Sequence, residues 1–259
     1  MLSEERQNMI VSLVNENKSM TVQMLMKALD ASESTIRRDL GELSSQGRLE
    51  KVYGGAMAKN VVFSGRDVLV NERKTLNSVE KTAIARYAAS LIGDDDFVYL
   101  DAGTTTEAMI PFITAKGAVF VTNGCTHARR LSECGFLTYV LGGEMKASTD
   151  AIVGEDAVIS LFRYHFTKGF WGTNGISRTS GFSTPDLREA LVKQMSMNRT
   201  QEKYVLGDAS KFSNISCVTF ADFSDATVIT SALPGEMSSY RACGNVVEVG
   251  SDGVPVVKE

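Results

Sequence analysis

From Ser78 to the end of the chain, short apolar runs alternate with stretches of helical period. The runs lie at 97–100, 119–122, 137–141, 169–171, 204–206, 228–229 and 246–249. Most are separated by helical patterns, such as the Ile84, Ala88, Leu91, Ile92 stripe and the segment 186–199. Alternation of this kind closes most readily into an α/β domain with a largely parallel sheet and helices packed on its faces.

The first 57 residues follow another rule. Ser3 is a good N-cap, Glu4 and Glu5 suit a first helical turn, and Met9, Ile10, Leu13 and Val14 share one face. Thr21 can cap a second helix carrying Val22, Leu25, Met26 and Leu29, and Ser32 a third carrying Ile36, Leu40 and Leu43. Gly47 falls where a helix stop is expected. At 48–56 the period changes, and a strand running into Gly54-Gly55 predicts a β-hairpin, a wing on the helical unit. The expected organisation is a small head at 1–57, a linker at 58–77 and an α/β domain at 78–259. Two unequal domains suit a length of 259 residues.

Charge limits the partners. The formal net charge is −4, which excludes a wholly basic nucleic-acid protein. Residues 1–60 hold eight Lys+Arg and eight Asp+Glu, so the acidic excess belongs to the remainder. Within the head, Arg37, Arg38, Arg48, Lys51 and Lys59 all fall late, as one basic surface would require. The four cysteines are widely spaced with no C-x-x-C pair, which fits free thiols in a reducing compartment. Neither a signal-peptide core nor a run of 18 apolar residues is present. A soluble, cytoplasmic protein with no membrane partner is expected.

On the third helix, Ser34, Arg38 and Gly41 lie opposite the apolar stripe, flanked by Thr35 and Arg37. A helix entering the major groove needs this division. Arginine pairs bidentately with guanine, and hydroxyls reach phosphates or base edges. Arg37-Arg38 alone fits a solvated helix face equally well. Its place on the third of three closely spaced helices, ahead of a basic hairpin, points to DNA. The residues expected to touch it are Ser32, Ser34, Thr35, Arg37 and Arg38, with Arg48 and Lys51 on the wing.

Ser32-Glu33-Ser34-Thr35-Ile36-Arg37-Arg38-Asp39-Leu40, Gly47-Arg48-Leu49 and Tyr53-Gly54-Gly55-Ala56 resemble the signature of the DeoR-type winged helix-turn-helix. The resemblance implies that the head binds an operator in double-stranded DNA. Regulators of this kind usually present paired heads to paired half-sites, so a homo-oligomer, at least a dimer, is expected.

In the larger domain the run at 97–100 leads into Asp101-Ala102-Gly103-Thr104-Thr105-Thr106, and a helix start follows at Glu107. Backbone amides, a helix dipole and threonine hydroxyls suit an anion there, although a Thr run after Gly is also a plain helix cap. Thr122-Asn123-Gly124 and Leu141-Gly142-Gly143 end the next two runs. Ligands of open α/β sheets collect outside such strand ends.

These segments, together with Asp208-Ala209-Ser210-Lys211-Phe212, resemble successive landmarks of the DeoR sensor domain. That domain is similar to ribose-5-phosphate isomerase, so the resemblance implies the same α/β fold and a phosphorylated sugar as effector. By carry-over Asp101, Gly103, Thr104, Thr105, Asn123 and Lys211 line the pocket, with Lys211 as a point charge for phosphate. Thr106, Gly142 and Gly143 complete the expected set. Two departures from the family stand out: the polar Gly172-Thr173-Asn174-Gly175 after Trp171, and Ser213 where glycine is common.

A sugar-phosphate isomerase or deaminase on the same fold is the rival reading. The acidic cluster and Lys-Gly-Gly-Gly turn of the isomerases are absent, as are nucleotide-binding, nucleophile-elbow and zinc-protease motifs. His127 and His165 lack the carboxylate or cysteine company of a metal site. A non-enzymatic sensor without cofactor or metal is expected; a domain that only dimerises would need no such threonine loop.

Overall fold

In the computed structural model, residues 3–17, 19–52, 54–57 and 70–256 are described. The head runs α1 (Ser3–Asn17), β1 (Ser19–Thr21), α2 (Val22–Leu29), α3 (Glu33–Ser45), β2 (Glu50–Val52) and β3 (Gly55–Met57). Thr21 Oγ1 accepts the Met24 amide at 3.2 Å and Ser32 Oγ the Thr35 amide at 3.3 Å, so both caps form where the sequence places them. Gly47 follows α3 with φ 66°, the left-handed conformation that ends a helix. Ile10, Val14, Leu25, Ile36, Leu40 and Leu43 meet in one small core.

The hairpin of β2 and β3 is antiparallel, and β1 joins it as a third strand on the far side of β3. That strand was not legible, because three residues between two helices carry no alternation. A Cβ on Gly55 would overlap the Met20 carbonyl, so the close approach of β1 and β3 demands glycine there.

Beyond the head come α4 (Val70–Thr75), α5 (Ser78–Ser90), β4 (Phe97–Leu100), α6 (Thr104–Glu107), β5 (Val119–Thr122), α7 (Cys125–Glu133) and β6 (Leu137–Val140). They are followed by β7 (Glu144–Lys146), β8 (Ala151–Val153), α8 (Glu155–Leu161), β9 (Phe166–Gly172), β10 (Gly175–Ser177) and β11 (Gly181–Thr184). The chain ends on α9 (Leu187–Asn198), β12 (Thr200–Leu206), β13 (Val218–Ala221), β14 (Thr227–Ser231), α10 (Ser238–Arg241) and β15 (Val246–Val249). Of the expected linker, 58–69 lies outside the described residues, and Val70–Thr75 is helical.

Seven strands form one wholly parallel sheet in the order β15-β14-β12-β9-β4-β5-β6. They are the seven apolar runs of the sequence. Val98, Leu100, Phe120, Phe170 and Leu206 pack on one face with Ala85 and Ala88 of α5. Tyr99, Val121, Trp171, Val205 and Val228 pack on the other with Val192 of α9. Both faces of the inner strands are covered, so alternate residues are equally apolar and these strands read as unbroken runs; the edge strand β6 leaves Leu137, Tyr139 and Val140 exposed. The antiparallel pieces, β7-β8 and β10-β11-β13, escaped the sequence reading because each strand has only three or four residues, too few to show alternation, and β10 and β11 are rich in Gly, Ser and Thr besides.

Candidate functional site

On α3 the apolar stripe is buried, while Ser34, Arg37 and Arg38 are exposed. Arg37 pairs with Glu33 at 2.7 Å and Arg38 approaches Glu42 at 3.9 Å, both at i,i+4 spacing in solvent. Such exposed pairs are weak and leave the guanidiniums free to exchange partners. Ser32 and Thr35 share a hydroxyl contact at 2.8 Å at the helix start, with Ser34 Oγ 3.1 Å from Ser32 Oγ. Arg48 donates to Asn8 Oδ1 at 2.8 Å, and Lys51 is exposed on β2 beside Gly41 of α3.

Asp39, between Arg38 and Leu40, has a different part. Its carboxylate is fully buried and takes Arg6 Nε of α1 at 2.6 Å, with Gln7 Nε2 at 3.4 Å. Gln7 also donates to Glu42 at 2.6 Å. These contacts fix the angle of α3 against α1. Sequence reading gave Asp39 no role, since an acid beside two arginines looks like a surface residue.

In the larger domain the carboxyl ends of β4, β9 and β12, adjacent in the sheet, open onto a cleft of about 260 Å³. That size suits a ligand smaller than the occupants of typical ~300–1,000 Å³ drug pockets. From β4 come Asp101, Gly103, Thr104 and Thr105; from β9, Gly172, Thr173 and Asn174; from the turn after β12, Asp208, Ser210 and Lys211. Glu189 and Lys193 enter from α9, Arg73 from α4, and Lys81 from α5.

Asp101 is 1% exposed, and its Oδ2 accepts from both Lys193 Nζ and the Gly172 amide, the latter at 3.1 Å. Lys193 also donates to the Gly172 carbonyl at 3.1 Å. Asp208 Oδ1 binds Asn77 Nδ2 and the Ser210 amide, each at 3.0 Å, tying the start of α5 to the turn that carries Lys211. Burial pushes the Lys81 ammonium below its usual range against the pull of Asp208, and the positive charges of Lys211 and Arg73 push the same way. Three cations therefore crowd one end of the cleft.

The remaining expected residues stand elsewhere. Thr106 is fully buried beneath the loop, receiving the Gly103 amide at 3.0 Å and donating to the Asp101 carbonyl at 2.6 Å. Asn123 Oδ1 accepts the Ala102 amide at 2.9 Å, bracing the loop from β5. Gly142 and Gly143 lie beyond β6 and do not line the cleft. Gly143, at φ 136°, turns the chain against Val153 and Ala157. His127 Nε2 lies 3.1 Å from the Gly103 carbonyl and 3.2 Å from Thr106 Oγ1, while Nδ1 is buried without a hydrogen-bond partner among the described residues. Burial holds this imidazole below its usual range, hence neutral.

One expectation changes in kind. α6 has only four residues, so its dipole is small. The cations that line the cleft are Arg73, Lys81, Lys193 and Lys211, three of which the sequence reading missed. Lys81 and Lys193 sit at helical positions that look like solvated faces. Ser213, the departure after Phe212, has φ 55°, the conformation that favours glycine. Among the described residues no group of three or more His, Cys, Asp or Glu could hold a metal ion, and no helix is long and apolar enough to cross a membrane.

Comparison with known proteins gives two family matches: the DeoR-like helix-turn-helix domain over residues 6–61 and the DeoR C terminal sensor domain over 76–232. The chain is 42% identical over 231 residues to an HTH-type transcriptional regulator named FruR from Bacillus subtilis, covering 89% of this chain and 91% of that one. It is 33% identical over 232 residues to the lactose phosphotransferase system repressor of Staphylococcus aureus, covering 88% and 92%. A ribose 5-phosphate isomerase of Methanocaldococcus jannaschii aligns over 51% of this chain and 52% of its own, at 14% identity and a TM-score of 0.38. A likeness that slight bears on neither site.

Proposed function

The chain belongs to the DeoR family of helix-turn-helix transcriptional regulators, and from that premise we propose that it represses a carbohydrate-utilisation operon and leaves its operator when a phosphorylated sugar fills the cleft. It is a regulator and not an enzyme, as its relatives are. One of them is named as a repressor of a lactose phosphotransferase system, which supports both repression and a sugar signal here.

The observation that carries the reading is the make-up of the cleft. Lys211, Lys81 and Arg73 gather at one end, where a phosphate is best served. Asp101, Thr104, Thr105, Thr173 and Asn174 offer polar atoms along the rest. Asp101 Oδ2 is taken by Lys193 and Gly172, whereas Oδ1 accepts no hydrogen bond among the described residues and suits a sugar hydroxyl. A domain that merely dimerised would have no use for these cations around a cavity.

On the DNA side, α3 enters the major groove with Arg38 reading a base edge and Ser34, Thr35 and Arg37 beside it. Ser32 at the helix start and Arg48 and Lys51 near the wing hold phosphates. Two heads act together on paired half-sites, so the working form is at least a dimer in the cytoplasm. The test is a thermal-shift panel with the full chain: fructose 1-phosphate, fructose 6-phosphate, galactose 6-phosphate, ribose 5-phosphate, the free sugars and inorganic phosphate. A phosphorylated sugar that raises the melting temperature where its free sugar does not supports the proposal. A flat response across the panel rejects it.

A further inference from the structure

The described part of the connection between head and sensor, α4, is pinned to the sensor at both ends. The Val70 amide donates to the Ser148 carbonyl at 3.2 Å. Lys74 Nζ reaches Glu107 at 3.0 Å, a carboxylate also held by Arg130 at 2.8 Å. Lys81 Nζ of α5 donates to the Arg73 carbonyl. Between these pins the Arg73 side chain lines the cleft beside Gly103, Thr104 and Lys211.

Its Nε is shielded from solvent and has no hydrogen-bond partner among the described residues. A buried donor left in that state costs free energy until an acceptor arrives. The neighbouring charges do not supply one. Asp101 is engaged by Lys193, Glu189 by Lys146 and Thr149, and Asp208 by Asn77 and Ser210. Arg73, Lys81 and Lys211 thus line the cleft without a carboxylate within ion-pair distance among the described residues, and since Lys81 Nζ is engaged by the Arg73 carbonyl, Arg73 and Lys211 are the pair left for an anion. A phosphate dianion matches that pair in charge, and a forked guanidinium matches it in shape.

We infer that Arg73 is a direct ligand of the effector's phosphate, shared with Lys211, and that through it α4 carries the occupancy of the cleft into the segment leading to the DNA-binding head. The inference rests on the sugar-phosphate reading above. Lys211 belongs to a turn within the sensor, so it adds affinity alone. Arg73 belongs to the connection, so it adds affinity and coupling. A ligand that binds both states equally shifts nothing, so the difference must reside in a group on the path from cleft to head.

The experiment compares wild type with Arg73→Ala, Arg73→Lys and Lys211→Ala as full chains. Calorimetry is run with inorganic phosphate and with the sugar phosphate of the panel that gives the largest thermal shift. Operator affinity, on a sequence selected from random duplex DNA by the wild-type chain, is then measured with that sugar phosphate saturating. Arg73→Ala and Lys211→Ala should each weaken inorganic phosphate by tenfold or more. Once saturated, Lys211→Ala should release operator as fully as wild type, whereas Arg73→Ala should lose most of the release. Arg73→Lys keeps the charge without the fork, and should recover part of the phosphate affinity and little of the release. The α4 pins use the Arg73 carbonyl, not its side chain, and an unchanged melting temperature without ligand checks that the variants fold. Phosphate binding by Arg73→Ala at wild-type strength, or full release by it at saturation, overturns the inference while the proposed function stands. A wild-type chain that binds no member of the panel overturns both.

Discussion

The Asp101 carboxylate and the Lys193 ammonium form a buried ion pair at the floor of the cleft, 1% and 7% exposed at their side chains. The pair joins the loop after β4 to α9 across the end of β9, through the Gly172 amide and carbonyl. Removing one partner leaves the other charged and buried, which costs about 3–5 kcal/mol. Asp101→Ala should lower the unfolding free energy by about that much, and Asp101→Asn by less, since an amide oxygen still accepts from Lys193. Urea unfolding of the full chains measures both. Asp101→Ala frees Lys193 towards the cleft, so it should bind inorganic phosphate no worse than wild type, whereas Lys211→Ala binds it less well.

Arg38 projects from α3 away from the Ile36–Leu40–Leu43 stripe, 66% exposed at its side chain. Arg38→Ala should cost about 1–3 kcal/mol on the selected operator and little on random DNA, so discrimination falls. Lys51→Ala should weaken all sequences alike and lower the salt slope by about one. Competition mobility shifts at several salt concentrations separate the two, and unchanged discrimination in Arg38→Ala would remove that residue from base reading.

Asp39 touches no DNA in this arrangement, yet Asp39→Ala should impair binding to operator and random DNA together. The buried carboxylate anchors Arg6 and Gln7 of α1, so its loss unmoors α3. A fall in the melting temperature of the head should accompany the loss of binding. Loss of operator binding at an unchanged melting temperature would mean that Asp39 contacts DNA instead.

Much of this fold is legible in the amino-acid sequence. The parallel sheet is, because its inner strands are apolar on both faces and leave unbroken runs. The caps Thr21 and Ser32 are, because their function depends only on residues three further on. The cleft is legible only in part. The loop at Asp101–Thr105 and Lys211 announce themselves by local composition, but Arg73, Lys81 and Lys193 acquire meaning only when α4, α5 and α9 converge on strand ends far away in sequence. Conversely, Asn123 and Thr106 have the look of binding residues, and their polar atoms are used to brace the loop from below.

His127 predicts a pH dependence. Burial holds its folded value below the ordinary imidazole range, so the unfolded chain takes up the proton first as pH falls. The contribution to stability is present above that ordinary value and is lost as pH drops through it towards the folded value. Unfolding free energy should therefore begin to decline below about pH 6.5, above the range where the carboxylates Asp96, Glu107 and Asp186 protonate. His127→Gln should flatten that upper limb and leave the acid limb in place. Denaturant unfolding across the range tests this, and an upper limb that survives in His127→Gln would assign it to another group.

The most direct measurement is the operator dissociation constant of the full wild-type chain, followed by fluorescence anisotropy with and without each sugar phosphate. At least one phosphorylated sugar should weaken operator binding tenfold or more, equivalent to about 1.4 kcal/mol of coupling between cleft and head. Its free sugar should do nothing, and Lys211→Ala should require a higher concentration for the same release. An operator affinity that stays constant through saturation of the cleft by every phosphorylated sugar that binds would contradict the account.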